Sequence, residues 1–286
     1  MRTTRPQLRT LLVLGRASNL PTVWSNVLAG WLLGGGGGFG PFLLLWLGAS
    51  LVYVGGMYLN DAFDAEFDRE FRRERPIPSG AVSELLVWRA GGAMLAAGTL
   101  MLGLHGIGTA VLALLLAGSV VLYDWIHKQV TFSPVLMAGC RFFLMLAAAS
   151  TGRAGVTGTA LWTAIALAGW IVGLSYVARR ESRRGGIAGW PLAPLILPWI
   201  LAALIHDGPW LLRSIGWSIV LGLWTAWCLY HTFGSSQRNI GRTVSGLLAA
   251  ICLTDLLALA PDPGLAAVFL GLFGLSLLGQ RFVPAT

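Results

Sequence analysis

From end to end the chain repeats one feature, apolar runs of about 18 to 22 residues separated by short polar connections. Wound as an α-helix at 1.5 Å per residue, a run of that length crosses a hydrocarbon core about 30 Å thick. Composition points the same way: 56% of the 286 residues are hydrophobic and 11% charged, against roughly 25% charged in a soluble domain. That excludes a soluble globule, because so few charges cannot cover so much apolar surface. The 38 glycines follow no collagen-like period, and glycine is common where membrane helices pack closely. The runs predict membrane helices near 18–37, 41–60, 84–104, 106–125, 133–151, 157–177, 188–206, 209–232, 243–260 and 263–281. The result is an all-α, polytopic membrane bundle of nine or ten transmembrane helices. The open point is Pro261, Asp262 and Pro263, which form either a tight turn between two helices or a break in one longer excursion. No linker marks a second domain, so residues 1–286 read as one.

Charge sets the orientation. Lys and Arg total 20, and with the N-terminus in the cytoplasm and ten spans, 18 of the 20 fall on the cytoplasmic half, only Arg153 and Arg213 outside it. The net charge of +8 is therefore explained by topology rather than by nucleic acid. No cleavable signal peptide is evident at the basic N-terminus. Cys140, Cys228 and Cys252 are isolated within apolar runs, without the spacing of a disulfide framework or a zinc site.

Six of the twelve acidic residues, Asp61, Asp64, Glu66, Asp68, Glu70 and Glu74, lie within fourteen residues after the second span. At 100° per residue the three aspartates fall within about 60° of one another. Glu66, Glu70 and Glu74 lie on the other side, interleaved with Arg69, Arg72 and Arg73, and read as a solvated, salt-bridged face. A stripe of three carboxylates at a membrane helix end is tolerable mainly when a divalent cation sits between them, and oxygen-only ligands favour magnesium or manganese over zinc. Magnesium bound through carboxylates commonly also holds phosphate. The pattern thus suggests either a metal-phosphate site or a structural charge cap, with Tyr58 and Asn60 extending the same polar end.

The run NDAFDAEFDREFRRERPIPSGAVS, residues 60–83, resembles the first aspartate-rich motif of the UbiA superfamily of intramembrane prenyltransferases. Asn60, Asp61, Asp64, Asp68, Arg75, Pro76, Pro78, Ser79 and Gly80 fall in its register. Upstream, RASNLPTVWSNVLAGWLLG is similar to that family's first helix, with Arg16, Asn19, Pro21, Asn26 and Gly30 in place. The family's YSxxLKR signature is matched in part by Tyr123 and by Lys128, the only lysine of the chain. The second aspartate-rich motif is missing: residues 175–186 read SYVARRESRRGG, with Glu181 as the one acid. There, Arg179, Arg180 or Arg183 either supplies the charge of a second metal or anchors the loop to anionic lipid. Together with SPVLMAGCR at 133–141, this loop resembles an EboC-like branch of the superfamily.

The resemblance implies a bundle around a central cavity open to the bilayer. It further implies magnesium-dependent transfer of a prenyl group from an isoprenyl diphosphate to a lipophilic acceptor. Asp61, Asp64 and Asp68 would be metal ligands, Lys128 would stabilise the leaving diphosphate, and Asn60, Arg72, Arg75, Arg180 and Glu181 would bind substrate. Tyr123 is either a hydrogen-bonding group at the leaving group or an interfacial tyrosine, and His127 replaces an apolar residue beside Lys128. Asn26 either faces the acceptor or makes an interhelical hydrogen bond. Arg141 either meets Asp124 or the diphosphate, or snorkels to the interface. His231 and Asp255 are expected near helix ends or paired locally. The alternative function is a prenyl-lipid carrier that keeps only the first metal motif. The arginine bias suggests a bacterial cytoplasmic membrane, with the aspartate end on the cytoplasmic side.

Overall fold

A computed structural model describes residues 7–179, 190–234 and 238–284, and among these every regular element is a helix. A short α1 (Leu8–Leu14) is followed by Arg16 in the left-handed region, φ 41°. A 3-10 turn at Ala17–Asn19 then leads into α2 (Leu20–Leu33). The chain continues through α3 (Phe39–Phe63), α4 (Ala65–Phe71), α5 (Glu84–Gly103), α6 (Ile107–Ile126), α7 (Ser133–Ser150) and α8 (Gly158–Arg179). A 3-10 stretch from Trp190 to Ile196 runs into α9 (Leu197–Ile205), followed by α10 (Gly208–Phe233). Then α11 (Ile240–Ala249) and α12 (Ile251–Leu259) form one apolar excursion, and α13 (Pro263–Gly279) closes the fold.

Seven stretches among the described residues are long and apolar enough to cross a membrane: α3, α5, α6, α7, α8, α10 and the joined α11–α12. Two shorter apolar helices, Leu192–Ile205 and Pro263–Gly279, fill the expected positions of further spans. The first expected span is shorter than its apolar run. Its N-terminal part is a 3-10 turn, and its C-terminal glycines Gly35 and Gly36 take φ 88° and φ 62°, outside the helix. The seventh is broken because Pro194 and Pro198 each remove a backbone donor. Residues 261–262 form the tight turn: Ala260 is left-handed, φ 40°, and Asp262 caps α13 by accepting from the Gly264 and Leu265 amides at 2.9 and 3.2 Å.

Close packing depends on small residues, since lipid offers no hydrophobic drive between helices. Gly48 and Gly55 of α3 meet Gly98 and Gly91 of α5, seven residues apart on each antiparallel helix. A Cβ on Gly55 would lie 2.6 Å from the Leu95 nitrogen and 2.8 Å from the Gly91 oxygen. Elsewhere the core is bulky: Trp170 is fully buried and donates its Nε1 hydrogen to the Leu247 carbonyl at 3.0 Å. The arrangement brings Arg16, the C-terminal end of α3, the loop before α5 and the C-terminal end of α6 to one end of the bundle.

Candidate functional site

Helix α3 carries Asn60 and Asp61 to that end almost fully buried, at 5% exposure each. The helix stops at Phe63, but the break is slight. Asp64 stays in the right-handed region, donates its N–H to the Asn60 carbonyl at 3.0 Å, and accepts at its own carbonyl from the Asp68 amide at 2.9 Å. Asp61, Asp64 and Asp68 therefore remain on one side, as the helical spacing predicts.

The loop from residue 72 to 83 is a compact turn. The Ser79 amide donates to the Arg75 carbonyl at 3.0 Å, and its hydroxyl donates to the Pro76 carbonyl at 3.2 Å. Gly80 takes φ 75°, a conformation that favours glycine. Ile77 and Val82 are buried beneath, and Ser83 caps α5 by accepting from the Leu86 amide. This turn presents Arg75, whose Nη1 donates to Asp61 Oδ1 at 3.3 Å. Arg16 Nη2 lies 3.6 Å from the same oxygen and donates to Asn60 Oδ1 at 3.0 Å. Asn60 in turn donates to Asp124 Oδ1 at 3.0 Å.

The second half of the site comes from α6. Lys128 Nζ sits 2.6 Å from Asp64 Oδ1 and 3.8 Å above the Phe67 ring, with His127 Nε2 at 3.6 Å from the same carboxylate. Tyr123 stacks on His127, ring centroids 5.0 Å apart. Burial alone would push the pKa of Asp64 up, but the hydrogen bonds and charges of His127 and Lys128 prevail and hold its carboxyl below the usual range. Asp68 goes the other way: burial pushes it up, and although Arg75 opposes this, the neighbouring charge of Asp64 adds to the rise. Its Oδ1 is buried without a hydrogen-bond partner.

As the side chains lie, no three histidine, cysteine or acidic groups among the described residues converge on one point. Asp61 is turned to two arginines and Asp64 to Lys128. The donors are nonetheless all oxygen and one is unsatisfied, which suits a hard divalent cation.

Asn60, Asp61, Asp64, Asp68, Arg75, Tyr123 and Lys128 are thus brought to one end. Arg72 is exposed where α4 ends, and Arg180, Glu181 and Arg183 lie outside the described residues. Arg179 is committed elsewhere, donating to the Thr131 carbonyl at 2.6 Å and to Ser133 Oγ at 3.2 Å. The salt-bridged glutamate face does not form, because α4 lasts only seven residues. Arg72, Arg73 and Glu74 leave the helix, and Arg69 pairs instead with Glu84 at the start of α5.

Arg141 meets neither Asp124 nor the interface. Its Nη1 donates to Asn26 Oδ1 at 2.7 Å and its Nη2 to Thr22 Oγ1 at 2.9 Å, both on α2. Asn26 makes the interhelical hydrogen bond, donating to Asp255 Oδ2 at 2.7 Å, and Ser25 donates to the same oxygen. Asp255, 1% exposed on α12, is a long-range partner rather than a locally paired residue. A lone acid in an apolar run was the available signal, but its partners lie 229 and 230 positions away. His231 does pair locally, with the Trp227 carbonyl at 2.8 Å.

A helical membrane bundle with an oxygen-rich, arginine-flanked end defines a class, and the comparisons place it. The chain belongs to the UbiA prenyltransferase family, which its residues 22–254 match. Over 117 residues it is 37% identical to the digeranylgeranylglyceryl phosphate synthase of Methanothrix thermoacetophila, covering 40% of this chain and 42% of that protein. Over 81 residues it is 35% identical to the one of Metallosphaera sedula, covering 28% of each. The matched stretches span less than half the length of these relatives. In fold it is similar to a solved structure from work on digeranylgeranylglyceryl phosphate synthase in membranes, with TM-score 0.62 and 17% identity over 93% of this chain and 99% of that one. It is also similar to a UbiA homologue from Archaeoglobus fulgidus bound to GPP and Mg2+, with TM-score 0.54 and 14% identity over 96% and 97%.

Proposed function

We propose that this chain, as one membrane domain, transfers a prenyl group from an isoprenyl diphosphate to a lipophilic acceptor within the bilayer. One observation carries the reading: Arg16, Arg75 and Lys128 converge with Asp61 and Asp64 at a single end of an otherwise apolar bundle. Such an end can hold a diphosphate head while the prenyl tail lies among apolar helices. Magnesium, which the Archaeoglobus homologue binds with GPP, would be held by Asp61, Asp64 and Asp68. When bound it supplies positive charge to the diphosphate as negative charge develops there. A divalent cation held by Asp61 and Asp64 would take the place of Arg75 and Lys128 on those carboxylates, leaving the two side chains free to pair with phosphate oxygens.

The allylic C–O bond then breaks with both electrons leaving on the diphosphate, and Lys128, Arg75 and Arg16 stabilise that charge. The acceptor's electron pair closes the new bond to the prenyl cation, and its proton is lost. Asn60, gripped between Arg16 and Asp124, holds Arg16 in place, and Tyr123 stands beside the leaving group on His127. The N-terminus and this end face the cytoplasm, as the arginine distribution supports.

The test is diphosphate release from labelled allylic diphosphates by the purified protein, with and without magnesium. The double variant Asp61→Ala/Asp64→Ala is run in parallel. Magnesium-dependent release that the variant lacks is the expected result. Magnesium-dependent retention of the diphosphate with no release would favour the carrier reading, to which the ion-paired resting state of the aspartates lends some support.

A further inference from the structure

The two carboxylate oxygens of Asp255 are treated differently by the fold. Oδ2 accepts from Ser25 and Asn26 of α2, whereas Oδ1 is buried and has no hydrogen-bond partner among the described residues. The hydroxyl of Thr163 on α8 is in the same position. Asp255 is 1% exposed and Thr163 2%. Both residues line one small cavity between α8, α9 and α12, about 10 Å³ in volume. The prenyl-transfer chemistry above uses neither of them.

A buried polar atom without a partner carries the full cost of leaving water, and the walls of this cavity cannot relieve it. Helix α9 passes the cavity at Pro198, which has no N–H to give. Alanine and leucine make up the rest of the lining apart from Thr254. Thr254, 5% exposed, donates its hydroxyl hydrogen to the Ile251 carbonyl at 2.8 Å, so its oxygen keeps lone pairs with which to accept. The walls therefore present one donor, the Thr163 hydroxyl, and two acceptors, Asp255 Oδ1 and Thr254 Oγ1.

Water is the complement of that set, because it donates twice and accepts once in the same place. An internal water makes about three hydrogen bonds and needs about 10–15 Å³, and the cavity meets both requirements. A metal ion does not match it. Calcium or magnesium takes about six or more oxygens, and the side chains here supply three; nor can a cation accept the Thr163 hydrogen.

We infer that this cavity is a binding site for one internal water molecule, which donates to Asp255 Oδ1 and Thr254 Oγ1 and accepts from the Thr163 hydroxyl. Through it Asp255 ties α12 to α8 as well as to α2, and both oxygens of an acid that is costly to keep in an apolar span are used. The site is independent of whether the chain transfers a prenyl group.

Two measurements test it. In a crystal structure of the purified full chain grown from a lipid mesophase, at a resolution that shows internal waters, the cavity should hold a single peak about 2.6–3.0 Å from Asp255 Oδ1, Thr254 Oγ1 and Thr163 Oγ1. A cavity without that peak overturns the inference, and so does a peak ringed by oxygens at about 2.3–2.6 Å, the spacing around a metal ion.

The second measurement turns on a sign. Thr163→Val keeps the shape and the β-branching and removes only the hydroxyl. Replacing an unpartnered buried hydroxyl by a methyl group stabilises a protein, whereas replacing one that holds a water leaves the water a hydrogen bond short and destabilises it. In SDS unfolding in mixed micelles, followed by tryptophan emission, Thr163→Val should shift the equilibrium ~3-fold or more toward the unfolded state. A smaller shift, or one in the opposite direction, overturns the inference. If the variant does not fold, the density in the wild type decides alone.

Discussion

Replacing Gly55 with alanine should loosen the α3–α5 seam and, through it, the aspartate end. The added Cβ would meet the Leu95 nitrogen at 2.6 Å and the Gly91 oxygen at 2.8 Å. Both are backbone atoms that cannot rotate away. Restoring an ordinary 3.4 Å contact requires the helices to part by about 0.8 Å. A gap of that size forfeits a quarter to a half of a dispersion well of about 0.1–0.2 kcal/mol per atom pair. Over the order of 40 pairs near the substitution, the loss is about 1–4 kcal/mol, which spans the usual ~1–3 kcal/mol of overpacking. Gly92, one residue beyond Gly91 on the same helix, supplies the control, because a Cβ there meets nothing within 4 Å. Alanine at 92 should be neutral or stabilising by up to ~1 kcal/mol through helix propensity.

Unfolding of both variants by SDS in mixed micelles, followed by tryptophan emission, compares the two directly. Asp61 lies six residues beyond Gly55, so diphosphate release by Gly55→Ala should also drop, by up to ~100-fold for a displacement near 1 Å. A Gly55→Ala protein within ~0.5 kcal/mol of wild type, or a Gly92→Ala protein equally damaged, would refute the close-packing argument.

Other perturbations probe separate parts of the molecule. Asn26→Ala, Asp255→Ala and the double variant should show a coupling of about 1–2 kcal/mol in the same unfolding assay; strict additivity would mean that amide and carboxylate do not act as a unit. Lys128→Ala should slow diphosphate release by ~10²–10³-fold, while circular dichroism stays native, and an unchanged rate would remove Lys128 from the leaving-group site. Asp262→Ala removes both capping hydrogen bonds at the start of α13 and should cost about 0.5–2 kcal/mol; no change in the unfolding midpoint would refute the capping role.

How much was legible from sequence differs by feature, for physical reasons. The helical spans were readable because the bilayer imposes a length on each apolar run. The register of Asp61, Asp64 and Asp68 was readable because helix geometry maps a local spacing onto a face. The RPIPSG turn, residues 75–80, was recognisable, but its purpose of aiming Arg75 at Asp61 was not. The glutamate–arginine face was misjudged because spacing alone cannot say that α4 ends at Phe71. Within that short helix Arg69 pairs with Glu84 at the start of α5.

Hydrophobic run length and the local periodicity of charge thus determined, from sequence alone, that this chain is a membrane helical bundle with an aspartate-rich end. Tertiary structure decided which charges meet. Arg16 joins Asn60 across 44 positions, and Asn26 joins Asp255 across 229. Such contacts depend on how helices are packed and rotated about their axes, which depends on glycine seams and side-chain volumes across the whole bundle. No local spacing encodes that rotation, and so the hydrogen bonds of Arg141 to Asn26 and Thr22 became visible only once the helices were in place.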